Sequence, residues 1–90
     1  MMTYNEKGLI TWEDYYEHHI KPHASELDAW DVTILKAVHS KWSRERQYVD
    51  IDVVNREVIV NIGWLTEDKM HERLVKLENL ALIRRGLTIN

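Results

Sequence analysis

The sequence predicts a mainly α domain with a small β component, and three observations carry that expectation. Apolar residues recur at helical spacing behind Ser or Thr cap signals, most clearly around Ile34 and around Leu74. The tail from Leu82 to Asn90 reads as strand, with Arg85-Gly86 as the one tight-turn candidate. Ninety residues allow one compact domain, because a chain of this length cannot support two independent cores.

Taken in order, residues 1–10 are polar around Gly8 and are expected to form a flexible arm. Thr11 and Asp14 have capping-box spacing, and Glu13, Asp14 and Glu17 sit where a helix dipole favours anions. This predicts an accessory helix over 11–22, with Trp12, Tyr15, Tyr16, His19 and Ile20 on one side and Pro22 as its stop. Ser25 and Asp28 repeat the cap spacing. Behind them Leu27, Trp30, Ile34, Leu35, Val38 and Trp42 form the clearest core stripe. Residues 43–47 are a charged connector.

Residues 48–62 read two ways. A hairpin turning at Asn55-Arg56 fits the β-branched content. A short strand over 48–51, an N-cap at Asp52 and a helix burying Val54, Val58 and Ile62 fits as well. Periodicity does not choose between them. From Thr66 the pattern sharpens: Thr66 caps, Glu67 and Asp68 occupy the first turn, and Met70, Leu74, Leu77 and Ala81 recur on a helix running to about Leu80.

Composition narrows the chemistry. With 44% hydrophobic and 30% charged residues the chain has material for a core and for a soluble surface. The absence of cysteine excludes disulfides, thiolate zinc sites, iron–sulfur clusters and cysteine nucleophiles. No apolar run is long enough to cross a membrane, and Met1-Met2-Thr3-Tyr4 does not open a secretory signal, so a cytoplasmic location without membrane association is expected. No serine nucleophile motif and no phosphate-cradling glycine loop is present, so no catalytic residue and no cofactor is assigned. His18, His19 and His23 lie near Asp14 and Glu17, but their spacing matches no established ligand set, and no metal site is expected. Charge is uneven: up to Asp31 two cations face seven anions, a net of −5, and the remainder carries +2.

The run from Ile62 to Arg85, with its apolar-Gly turn at Ile62-Gly63, the cap at Thr66 and Leu74-Val75-Lys76-Leu77-Glu78 ahead of Leu82-Ile83, resembles the second half of winged helix-turn-helix domains. The likeness extends over residues 27–90, with 27–42 as the first helix, 48–51 as the short strand and 52–62 as the second helix. It thereby favours the helical alternative for 52–62. The turn before Thr66 is one residue longer than the commonest family spacing, Ala81 stands where the family usually has glycine, and only four residues follow Gly86, which implies a minimal wing.

The resemblance implies a small DNA-binding regulator, its recognition helix starting at Thr66 and offering Lys69, His71, Arg73 and Lys76 to duplex DNA. Arg44, Arg46, Arg84 and Arg85 would supply phosphate contacts. Over 66–79, however, three cations meet four anions, a poor balance for displacing counterions, and this motivates the competing expectation of a protein-interaction winged helix. Trp12, Tyr15, Tyr16 and Ile20 exceed what a small core beside Trp30, Trp42 and Trp64 should absorb, so they are expected to form a homodimer interface.

Overall fold

The computed structural model describes residues 10–41, 49–84 and 88–89. Its architecture is four helical elements and a minimal antiparallel pair. Helix α1 (Trp12–Tyr15) continues directly into a π-helical turn (Tyr16–Ile20) and a 3-10 turn (Lys21–His23); α2 spans Ala29–Lys41, α3 Ile51–Asn61 and α4 Glu67–Asn79. Strands β1 (Ile83–Arg84) and β2 (Thr88–Ile89) pair with Ile83 opposite Ile89 and Arg84 opposite Thr88.

The N-terminal segment departs from the expected regular helix. Thr11 has N-cap backbone geometry, but its side chain makes no capping hydrogen bond. Tyr15 and Ile20 are both buried although they lie five positions apart. In an α-helix at 100° per residue that offset separates two side chains by about 140°; the i→i+5 register of a π turn brings them back to one face. Tyr16 and His19, expected on the same side, face outward. Pro22 does not end the helical path but enters the 3-10 turn at a position where no N–H is required.

Helix α2 is the central element and packs most extensively on α3. Its stripe is as expected at Ile34, Leu35 and Val38, all fully buried. Its cap is not Ser25. The Asp28 carboxylate accepts from the Asp31 N–H at 3.0 Å while the Asp31 carboxylate accepts from the Asp28 N–H at 3.1 Å, a reciprocal box three residues further on. Residues 51–61 are helix and not hairpin. The N-cap is Asp50, whose Oδ1 accepts from the Asp52 N–H at 3.0 Å, so Asp52 lies in the first turn, and Val49 and Asp50 belong to no strand. Val54 and Val58 meet α2, while Ile62 stays partly exposed at the helix end.

The two turns flanking α4 position it. Gly63 follows α3 at φ +146°, and a Cβ there would stand 3.3 Å from the Trp30 ring. Thr66 caps α4 through its hydroxyl, which accepts from the Lys69 N–H at 3.2 Å. At the other end Ala81 adopts φ +60°. The Leu82 N–H reaches the Leu77 carbonyl and the Ala81 N–H the Glu78 carbonyl, both at 3.0 Å. This is a Schellman motif, and its apolar contact is the buried pair Leu77 and Leu82. Ala81 is therefore a helix terminator, not the last member of the stripe begun by Met70, Leu74 and Leu77. The Tyr15 hydroxyl donates to the Leu82 carbonyl at 2.9 Å and ties the N-terminal segment to this corner.

Ala81→Gly should stabilise the domain by about 1 kcal/mol, because glycine enters the left-handed region without the alanine Cβ penalty, raising the melting midpoint by about 4–8 °C. Gly63→Ala should destabilise by at least about 1 kcal/mol, from the same conformational cost together with the Trp30 contact. Thermal unfolding followed by circular dichroism checks both. Burial pushes the Tyr15 phenol up to about 12. The folded state thus keeps a proton that the unfolded state releases near 10, and the corresponding stability is present below about pH 10 and lost as pH rises toward 12. Tyr15→Phe should cost about 1 kcal/mol at neutral pH and flatten that alkaline loss, read from urea midpoints across the interval.

Candidate functional site

Four charged side chains join the start of α2 to the middle of α4. Asp31 is 0% exposed, because it sits between Leu27 and Ile34 on the face that α2 turns to the core. A carboxylate in that position requires paired charge and hydrogen bonds. Arg73 Nη1 donates to Asp31 Oδ1 at 3.2 Å and to the two oxygens of Asp28 at 2.7 and 2.8 Å. The Lys76 ammonium donates to Asp31 Oδ2 and, at 3.1 Å, to the Glu26 carbonyl. The Arg73 guanidinium also lies 6.0 Å from the Trp30 ring centroid, within cation–π range. Burial pushes the Asp28 carboxyl upward, but the Arg73 hydrogen bond, the Asp31 N–H and the guanidinium charge outweigh it and hold the group below the usual carboxylate range.

Arg73 and Lys76, expected on a DNA-facing surface, turn toward the start of α2, with side chains 22% and 39% exposed. Thr66 is spent on its cap. Lys69 is exposed and pairs with Glu72 at 3.5 Å, and His71 is exposed. Arg44, Arg46 and Arg85 lie outside the described residues, as does the Arg84 side chain. Of the four residues expected at a dimer interface, Tyr15 and Ile20 are each 1% exposed within the chain's own core. Trp12 packs against that core, with its ring 5.6 Å from His39, whose Nε2–H donates to the Ile10 carbonyl at 2.7 Å. Tyr16 remains on the surface. Among the described residues no group of three or more His, Asp or Glu side chains could hold a metal ion.

The apolar surface that sequence reasoning missed lies on α3 and the turn after it. Trp64 is 70% and Val60 81% exposed, and Ile51, Ile59 and Ile62 are also exposed. Trp64 takes no core space and faces outward, while Tyr15 and Ile20 are enclosed. A groove of about 400 Å³ opens at the junction of α3 and α4, lined by Ile51, Asp52, Asn55, Trp64, Leu65, Glu67 and Met70. Within that lining Asn55 carries a buried Oδ1 with no hydrogen-bond partner. A signal for the charge cluster was present in the sequence, where Asp31 interrupts the Leu27–Ile34–Val38 stripe at a core position. No comparable signal marks Trp64.

Asp31→Ala should destabilise the domain by about 2 kcal/mol, since it removes the buried acceptor shared by Arg73 and Lys76 and one half of the reciprocal cap with Asp28. The depressed Asp28 group contributes stability that is present above its unfolded value of 3.8 and lost as pH falls through the lower folded value. Arg73→Gln should therefore flatten the acid limb of the stability profile below about pH 4, measured by chemical denaturation at stepped pH. Comparison with family models, with curated proteins and with solved structures returns no match for this chain.

Proposed function

We propose that the chain is a winged helix-turn-helix domain that works by binding another protein, through α3 and the turn that follows it. The order α2, α3, α4 and a short antiparallel pair supports the fold reading, as does the Gly63 turn leading into a Thr-capped helix in the recognition position. The observation that carries the functional reading is the allocation of charge on α4. With Arg73 and Lys76 engaged by Asp28 and Asp31, the described exposed charges of α4 are Lys69 against Glu67, Asp68, Glu72 and Glu78. Phosphate binding needs cations that displace counterions, and this surface offers one cation among four carboxylates. On α3 and the turn after it Val60 and Trp64 are exposed, an aliphatic and an aromatic side chain of the kinds that anchor protein interfaces. The chain belongs, on this reading, with regulators that act on other proteins.

Micromolar protein should leave random and genomic duplex fragments unshifted at about 50 mM salt, conditions under which phosphate-driven binding is strong. The Val60→Ser/Trp64→Ala variant should keep the wild-type melting midpoint and lose whatever specific protein the wild-type chain retains. A mobility shift that weakens steeply with salt and is reduced by neutralising Lys69, Arg84 and Arg85 would restore the duplex-DNA reading.

A further inference from the structure

The groove at the α3–α4 junction combines two properties that together define an occupant. Its lining includes the apolar side chains of Ile51, Leu65, Met70 and the exposed Trp64. The charged side chains in its lining are both carboxylates, Asp52 on α3 and Glu67 on α4. A volume of about 400 Å³ is within the range of sites that enclose a ligand group. Resting on the protein-binding reading above, we propose that this groove receives a basic amphipathic segment of a partner protein. An apolar side chain of that segment enters against Trp64 and Met70, and flanking Lys or Arg side chains meet Asp52 and Glu67. A cation passing the open Trp64 face gains a cation–π contact. An acidic segment would bring like charge to both rims, and a purely apolar one would leave the two carboxylates without partners.

The test uses the full chain and two labelled helical peptides of about 14 residues, one of leucine and lysine and one of leucine and glutamate, titrated by fluorescence anisotropy. The leucine–lysine peptide should bind wild type, weaken as salt rises, and lose about tenfold in affinity on Asp52→Lys/Glu67→Lys, the effect of two partly exposed ion pairs. The same double variant should acquire binding of the leucine–glutamate peptide. Trp64→Ala should weaken the basic peptide by a similar factor without changing the melting midpoint. If the lysine variant fails to fold, Asp52→Asn/Glu67→Gln should still lower affinity and flatten the salt dependence. Equal binding of both peptides to wild type, or binding indifferent to Trp64→Ala, would overturn the assignment of this groove. Absence of binding by the basic peptide would overturn it too. None of those results touches the protein-binding reading, which falls only if the chain shifts duplex DNA.

Discussion

The structure depends on one buried carboxylate. Asp31 stands at a core position of the central helix with no exposure to solvent, on the helical face of the buried Ile34 and Leu35, and an ionised group there is tolerable only with compensating charge. Arg73 and Lys76 supply it from α4, forty-two and forty-five positions along the chain. That requirement fixes the rotation of α4 about its axis, because Arg73 and Lys76 must both face the start of α2 while Met70 and Leu77 enter the core. It also accounts for the capping box one turn before the stripe, since Asp28 and Asp31 each serve as N–H acceptor and as Arg73 partner.

The consequences propagate through Trp30. Its ring has the Arg73 guanidinium near one side and Gly63 in close approach on another. Gly63 can accept the approach because it has no Cβ, and its positive φ turns the chain sharply out of α3. The residue that follows the turn is Trp64, so close packing of one tryptophan is coupled to exposure of the next. At the opposite end of α4 the left-handed backbone at Ala81 places Leu82 back over Leu77, and the Leu82 carbonyl receives the Tyr15 hydroxyl. The N-terminal segment is thereby docked by a polar tether as well as by burial, and its π turn is what lets Tyr15 and Ile20 face the core together.

How much of this was legible follows from which signals are local. The Thr66 cap, the Met70 and Leu77 face and the Ile34, Leu35 and Val38 stripe depend on spacing within one helix, and the structure has each of them. The caps of α2 and α3 lie two or three positions from those the spacing predicts because candidate cap residues cluster there: Ser25 and Asp28 precede one helix, Asp50 and Asp52 the other, and spacing does not rank them. For 51–61, Val54 and Val58 are four apart and so share a face in either secondary structure; the winged-helix resemblance favoured a helix there, which α3 is. The π turn left no trace, since Tyr15 and Ile20 share a face only after the register changes. The candidate site was the least legible part. A cation's identity says nothing of which way it turns, and the inward direction of Arg73 and Lys76 is set by Asp31, far away in sequence.

That long-range constraint limits what α4 can do at its surface. For Arg73 to contact a phosphate it would have to leave Asp28 and Asp31, and the buried Asp31 carboxylate would then keep Lys76 alone as its counter-charge. Asp31 would lose one of its two cationic partners and Asp28 its contact to both oxygens, charge-assisted hydrogen bonds worth about 1.5–3 kcal/mol, whereas a solvent-exposed charge pair returns at most about 1 kcal/mol. The exchange is unfavourable even before the neighbouring Glu72 and Asp68 are counted. A helix whose cations are structural is held to whatever its remaining side chains present, which here are carboxylates along α4 and the apolar side chains of the turn before it. The same buried aspartate that orients the helix therefore decides the kind of surface the helix can offer.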